Sequence, residues 1–339
     1  MCELSCDALP LSNLRRTRIA ILFSMRGTVE QRGGETGQRT VPTIKIMEIR
    51  MTNQIHRTER DAGPRHWLAL EGKVCVVSGA AGGIGSAIAQ VLGEAGARLA
   101  LLDRDEDKCR ALARKLNTSG IEALALACDI GDIDSVRGAV QGVESAYGAA
   151  DVLVNNAGLL RPGGIEEIGL DAWNAMLRVN LTGYMLCSQQ FGHGMLKRGT
   201  GALVHVASVA AHHPQTYSGA YSPGKAGVAM LSKQLAAEWG PRGIRSNTVC
   251  PGMIRTPLSA AFYEHGDIER RRSAMTASRR IGEPNDIADV VAFLASARAA
   301  YVNGAEIVVD GGLESMLMDL VPRPGFEATQ AAQTTPVTR

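Results

Sequence analysis

Three side chains of this 339-residue chain, Ser208, Tyr221 and Lys225, have types and spacing that could pass a proton among them. Tyr221 and Lys225 stand four apart in YSPGK, and Val228, Leu231, Leu235, Ala236 and Trp239 continue at helical spacing. Phenol and ammonium therefore share one helix face. Ser208 closes VHVAS, an alternation of small and β-branched residues that reads as a buried strand running out at its carboxyl end. A phenol of ordinary pKa, about 10, is a poor base at neutral pH. Lowering it by about 3 units takes about 4 kcal/mol, which a desolvated ammonium and the positive charge of a bound cofactor could supply. The same spacing also describes a solvated helix face, so its meaning depends on what the rest of the chain brings to it.

Composition permits one large α/β domain: 45% of residues are apolar, 38 are glycine, 21% are charged and only 4% are aromatic. Of 36 basic and 34 acidic residues, 11 and 7 fall in the first 70, so the remainder carries 25 and 27. A nearly neutral body gives no electrostatic case for a nucleic-acid partner. No apolar run approaches the roughly 20 residues of a membrane span. The cysteines (Cys2, Cys6, Cys75, Cys109, Cys128, Cys187, Cys250) are scattered and odd in number, and most sit in apolar runs. They read as reduced thiols of a cytoplasmic protein rather than as a disulfide framework. No metal site is expected, since the seven histidines lack HExxH-type spacing and His212 and His213 are adjacent.

Residues 1–68 cannot build a core and read as a disordered extension, or as a reading frame opened ahead of a start at Met47 or Met51. From Lys73 the texture changes. KVCVVSG predicts a strand, AAGGIG a turn, and Ile84, Ala87, Ile88, Val91, Leu92 and Ala95 a helix. Such a turn lets backbone approach a pyrophosphate while the helix N-terminus offers free amides. Its glycines are Gly79, Gly83 and Gly85. The next strand, 98–102, ends at Asp103, where a carboxylate would accept from an adenosine ribose and repel a 2′-phosphate. Helix 106–116, strand 122–128 closing on Asp129, helix 133–147 and strand 152–154 closing on NNAG follow. Then come one long helix over 171–197 carrying Asn180, the Ser208 strand, the Tyr221 helix and strand 244–249 running into CPGMIRTP. An insert over 257–283, a helix over 286–297 and a last strand 306–309 ending in DGG complete the order. Unbroken βα alternation predicts a single doubly wound parallel sheet of Rossmann type with helices on both faces. The domain is bounded at 69–313, and 314–339 reads as an extension whose end is disordered.

Together, SGAAGGIG, Asp103, Asp129, NNAG, Asn180, Ser208, YSPGK, PGMIRT and DGG resemble the short-chain dehydrogenase/reductase family in its single-domain form. The resemblance covers roughly residues 70–313, and the 13-residue gap from Ser208 to Tyr221 agrees with it. It implies Tyr221 as general acid/base, Lys225 as the group that lowers its pKa and holds the nicotinamide ribose, and Ser208 as hydrogen-bond donor to the substrate oxygen. Asn180 would keep a helix distortion and a water on the proton path. Gly79, Gly83, Ile84 and Gly85 would line the pyrophosphate turn and Asp103 the adenine ribose. Asp129 and Ile130 would line the adenine, Asn156 and Ala157 the cofactor edge, and Pro251, Gly252, Ile254 and Thr256 the nicotinamide side. Ser78 stands where the family usually has threonine, and Pro223 must lie in the first turn of its helix to be tolerated.

The activity so implied is hydride transfer between NAD and a secondary alcohol/ketone pair, in a homotetramer or homodimer joined through the Asn180 and Tyr221 helices. The alternatives are a 3-oxoacyl-thioester reductase using NADPH and a silent NAD-binding regulatory protein. The partner is a small-molecule alcohol or ketone, its pocket expected from 159–164, 210–216 and 253–281; His212, His213 and Tyr217 could face it, with simple loop packing as the favoured alternative for each. Arg270, Arg271 and Arg272 could meet an anionic substrate or lie on a solvated helix face.

Overall fold

The computed structural model describes residues 67–263 and 266–325. The proposed extension over 1–68, except Trp67 and Leu68, and the proposed disordered end over 326–339 lie outside the described residues.

Seven strands form one parallel sheet: β1 Val74–Ser78, β2 Arg98–Asp103, β3 Ala123–Ala127, β4 Val152–Asn155, β5 Gly201–Val206, β6 Ile244–Pro251 and β7 Glu306–Val309, in the order β3-β2-β1-β4-β5-β6-β7. The chain winds outward from β1 to β3, crosses back to β4 and winds to the other edge. The strand order therefore reverses between β1 and β4, where Cys75 pairs with Val152 and Val77 with Val154. A crevice at the carboxyl ends of those two strands is the expected ligand position in such a sheet.

Period-two alternation sends each strand's side chains to two cores. Cys75 and Val77 face α1 (Gly83–Glu94) and α9 (Pro284–Ala295), packing with Ile88, Leu92, Ile287 and Val291. Val74 and Val76 face α3 (Ile133–Tyr147), α5 (Gly183–Arg198) and α6 (Tyr221–Trp239), packing with Val136, Val143, Tyr184, Phe191 and Val228. α2 (Glu106–Thr118) closes the first face beside β3 through Cys109, Ala113 and Leu116. Asp105 caps it by accepting from the Lys108 amide at 3.1 Å.

The helix read over 171–197 is divided into α4 (Leu170–Leu177) and α5 by a π turn at Arg178–Thr182, a distortion at Asn180 of the kind that the family resemblance implied. Side-chain periodicity is blind to a one-residue widening of the backbone hydrogen bonds, which only the buried partner of Asn180 explains. The insert holds α7 (Pro257–Tyr263) and α8 (Ile268–Ala274). The arginine triplet lies on α8, where Arg270 pairs with Asp267 of its own turn and Arg272 donates to Tyr263 Oη at 3.4 Å.

Candidate active site

β5 stops at Val206, and Ser208 opens the short 3₁₀ turn Val209–Ala211, its Oγ accepting from the Ala210 amide at 3.1 Å. The serine is thus a cap just beyond the strand rather than its last residue. α6 begins at Tyr221, so Pro223 falls in the first turn, where its missing amide removes no helix hydrogen bond. The Tyr221 phenol is hydrogen-bonded to the Ser208 side chain. Sequence placed these hydroxyls on separate elements, and the fold brings them into contact.

Lys225 follows one turn later and is 3% exposed. Its ammonium donates to the Val206 carbonyl at 2.8 Å and to Tyr184 Oη at 3.4 Å, and lies 5.8 Å from the Tyr221 ring centroid. Burial depresses its pKa from 10.5 to about 8. Burial also raises the Tyr221 pKa, against which the Ser208 hydrogen bond acts. In the chain alone desolvation therefore outweighs the lowering expected of Tyr221, and the phenol keeps its proton until further positive charge arrives.

Tyr184 was not singled out by sequence. It sits four residues after Asn180 on the same helix, fully buried, with its phenol donating to the Val206 carbonyl at 3.1 Å. An aromatic at an apolar helix position looks like core, and only contact with Lys225 gives it a further role. Beneath it, Asn155 donates to Ser188 Oγ at 3.1 Å and to His205 Nδ1 at 3.2 Å, while His205 Nε2 lies 3.1 Å from Ser246 Oγ. Burial holds His205 near a pKa of about 3, so it is neutral, with Nδ1 accepting and Nε2 donating. Asn155 therefore serves the core, although it ends a strand at the crevice.

Asn180 is also fully buried, and both its side-chain groups bond the Leu159 backbone at 2.7 Å, the amide to the carbonyl oxygen and the oxygen to the amide nitrogen. The π turn is what lets a helix side chain reach the loop after β4 in this register. That loop carries Asn156, which donates to the Ser78 and Gly79 carbonyls at 3.0 Å. The Ser78 hydroxyl accepts from the Asn156 and Ala157 amides at 3.0 and 3.3 Å, so the serine hydroxyl itself joins the ends of β1 and β4.

The glycine turn passes close to this junction. Gly79 has φ of +65°, and a Cβ there would stand 2.6 Å from the Ala157 Cα. A Cβ on Gly85 would overlap the Gly79 carbonyl oxygen and stand 2.7 Å from Asn156 Nδ2. Helix α1 has no side-chain cap at Gly82 and no acid in its first turn, which leaves amides free for an anion. Gly85→Ala is expected to cost about 1–3 kcal/mol of stability, as overpacking against backbone does, and to weaken dinucleotide binding tenfold or more. Gly138→Ala, where a Cβ meets nothing within 4 Å in mid-α3, should instead stabilise by about 0.5–1 kcal/mol. Thermal unfolding and cofactor titration of both variants check the contrast.

The other expected cofactor residues are placed as follows. Asp103 ends β2 with Oδ2 accepting from the Ala81 amide and Oδ1 from the Asp105 amide, both at 2.9 Å, so its carboxylate faces the glycine turn. Asp129 accepts from the Gly131 amide at 2.9 Å and from Arg178 at 3.1 Å. Ile130 is 4% exposed and belongs to the helix-side core, where a Cβ on Gly183 would come within 2.8 Å of it. The close approach of α5 draws its side chain inward. Ile84 opens α1. Pro251 ends β6, and the Gly252 amide donates to Val309 at 3.0 Å. Ile254 bridges to Gly282, and the Thr256 amide donates to Ser259 Oγ at 2.9 Å. A Cβ on Gly83 would stand 3.0 Å from the Thr256 Cβ, so this loop and the glycine turn meet.

His212 is not a free pocket residue. Its ring bonds Glu306 and Glu314, because the turn after Ser208 carries it over the end of β6 toward β7. Tyr217 is 74% exposed with φ of +55°.

A glycine cradle with free helix amides, a carboxylate one strand over and a Ser–Tyr–Lys group at the strand ends define a Rossmann-type dinucleotide-dependent oxidoreductase. The family model described as enoyl-(acyl carrier protein) reductase matches residues 79–314. D-threitol dehydrogenase of Mycolicibacterium smegmatis is 41% identical over 72% of this chain and 93% of its own length. Cis-4-hydroxycyclohexanecarboxylate dehydrogenase of Sinomonas cyclohexanicum is 38% identical over 72% of this chain and 97% of its own. Among solved structures, a gluconate 5-dehydrogenase from Burkholderia cenocepacia in complex with NADP and tartrate superposes with a TM-score of 0.70 at 34% identity, covering 73% of this chain and 96% of its own. The chain belongs to the short-chain dehydrogenase/reductase family, enzymes that act on CH–OH groups with a nicotinamide dinucleotide.

Proposed function

We propose that this enzyme oxidises a small secondary alcohol with NAD, Tyr221 taking the hydroxyl proton. The observation that carries the reading is Lys225, a buried ammonium held by the Val206 carbonyl and Tyr184 beside a phenol that is itself bonded to Ser208. The bound nicotinamide would supply the hydride acceptor. Ser208 holds the substrate oxygen, and Tyr221, within reach of the same oxygen, receives its proton. Lys225 keeps positive charge beside the forming phenolate, and Asn180 fixes the Leu159 loop through two backbone bonds. Gly79, Gly83, Ile84 and Gly85 would hold the dinucleotide's pyrophosphate, Asp103 its ribose, Asp129 and Ile130 its adenine, Asn156 and Ala157 its edge, and Pro251, Gly252, Ile254 and Thr256 the nicotinamide side.

NAD is favoured by the Asp103 carboxylate, which faces the turn through Ala81. The NADP found in the Burkholderia relative belongs to that protein. Asp103→Asn keeps the side-chain shape and removes the charge. It is expected to raise NADP turnover relative to NAD tenfold or more. A wild type that uses NADP as well as NAD would overturn the assignment.

The threitol, hydroxycyclohexanecarboxylate and gluconate relatives support a polyhydroxylated or ring alcohol of few carbons. A second reading, reduction of a 3-oxoacyl thioester with NADPH, is favoured by the description of the matching family model and by a 35% identical reductase of Vibrio harveyi. A panel of polyols and ring alcohols with NAD, run against a 3-oxoacyl thioester with NADPH, decides between them. Met185 on α5 and Met230 on α6, 39% and 63% exposed, support self-association through those helices as a homodimer or homotetramer. Among the described residues five free thiols, all buried, support a reducing compartment such as the cytoplasm, and no helix is long and apolar enough to cross a membrane.

A further inference from the structure

Outside the proton-transfer group, the densest set of ligating side chains is His212, Cys250 and Glu306. They come from the turn after Ser208, the end of β6 and the start of β7. One ligand atom from each lies within 4.8 Å of the other two. His212 Nε2 is 2.6 Å from Glu306 Oε2 and 3.9 Å from Cys250 Sγ. Tetrahedral bonds of about 2.0–2.1 Å to nitrogen or oxygen and about 2.3 Å to sulfur place such atoms roughly 3.3–3.6 Å apart. The two distances bracket that range, and the third pair lies within 4.8 Å, so small side-chain adjustments would admit an ion.

We propose that His212 Nε2, Cys250 Sγ and Glu306 Oε2 form a site for a thiophilic divalent cation of the Zn²⁺ class, with a fourth position open. The mixed thiolate, imidazole and carboxylate set selects zinc, cobalt or cadmium over magnesium or calcium. His212 is turned correctly for it: Nδ1 lies 3.1 Å from Glu314 Oε1, which fixes Nε2 as the ligating nitrogen. Lys233 pairs with Glu306 Oε1 and leaves Oε2 to the cation. The histidine edge is exposed, whereas Cys250 is fully buried at the back, so entry is from the His212 side.

Charge balances across the binding step. Without the cation, both ring nitrogens of His212 face carboxylates, Nε2 that of Glu306 and Nδ1 that of Glu314, and Cys250 lies buried behind the ring. The charged groups facing them are Glu306, Glu314, Lys233 and, across Cys250, Lys225, with His213 Nε2 3.7 Å from Glu314. Binding forms metal bonds to nitrogen, sulfur and oxygen and releases the Nε2 and thiol protons, while Nδ1 keeps its proton on Glu314. Two positive charges enter and two leave. The cation would clamp the Ser208 turn and the root of the 251–256 loop to the start of β7. Sequence spacing cannot show this site, because its ligands lie on three elements brought together only by sheet order.

The test is Co²⁺ titration of the full chain under a thiol-free reductant, followed by absorption, with Zn²⁺ then displacing the cobalt. One equivalent should bind, with tetrahedral ligand-field bands and a thiolate-to-cobalt charge-transfer band. Cys250→Ser should abolish that band and weaken binding a hundredfold or more. Glu314→Gln, on the surface, should keep the band and weaken binding about 10–100-fold, as loss of the partner of a ligating imidazole does. The double variant Cys2→Ser, Cys6→Ser should change nothing. Calorimetry in buffers of different ionisation enthalpy should show protons released as the cation binds. A band that survives Cys250→Ser, a band lost with Cys2 and Cys6, or binding only at millimolar cobalt would each overturn the proposal.

Discussion

Tyr221→Phe is expected to lower kcat for alcohol oxidation by a factor of 10² to 10⁴ while leaving dinucleotide affinity within about twofold. The range is what a positioned acid/base side chain contributes. The substitution removes one oxygen, which is bonded to Ser208, and keeps the ring beside the Lys225 ammonium. Its stability cost should be no more than the roughly 0.5–1.5 kcal/mol of a single hydrogen bond. The free chain sharpens the expectation, because burial raises the Tyr221 pKa there and the base form is available only once positive charge lies against the phenol. The wild-type rate should therefore rise with pH from the acid side, and the residual rate of the variant should not. Steady-state kinetics, a cofactor titration and thermal unfolding together make the check. A loss below tenfold would remove Tyr221 from the proton path and leave Ser208 as the candidate.

The strand and helix order was legible because each strand is a short apolar run ending in a chemically marked residue, such as Ser78, Asp103 or Asn155. Helix α3 and strand β7 match their sequence readings residue for residue. What sequence could not show depends on tertiary neighbours. The π turn exists because Asn180 meets Leu159, which no periodicity encodes. The resemblance set Ile130 with Asp129 beside the adenine, and no spacing in the sequence shows that its side chain also packs against the bare Gly183. His212 could only be read as facing the pocket or packing in its loop, because Glu306, which it bonds, lies 94 positions away in sequence. Tyr184 stayed hidden for the opposite reason: its ring satisfies the apolar pattern, and its hydroxyl shows its use only against Lys225.

Lys225→Met should make the enzyme more stable at pH 7 while lowering turnover a hundredfold or more. The sign follows from burial. The folded-state pKa, about 8, lies below the ordinary 10.5, so between these values the unfolded chain binds more protons and stability rises with pH. Below pH 8 both states are charged and the fold carries the whole cost of the buried ammonium, about 3 kcal/mol for a depression of this size. Methionine keeps most of the stem and removes the charge. The Val206 carbonyl is not orphaned, since it still accepts from Tyr184 at 3.1 Å. The stability gain at pH 7 should be about 1–3 kcal/mol, because two hydrogen bonds to the lysine are lost. It should shrink between pH 8 and 10.5 and be lost above 10.5, where the wild-type lysine is neutral in both states. Thermal unfolding at pH 7 and pH 10 reads this directly, and a variant less stable than wild type at pH 7 would mean that the ammonium's partners outweigh its desolvation. Tyr184→Phe separates positioning from packing in the same experiment. It leaves the ammonium with the Val206 carbonyl alone, so the lysine should lose its proton at lower pH and the alkaline limb of the pH–rate profile should move down by about half a unit to one unit. If Tyr184 only filled space, unfolding would shift and that limb would stay where it is.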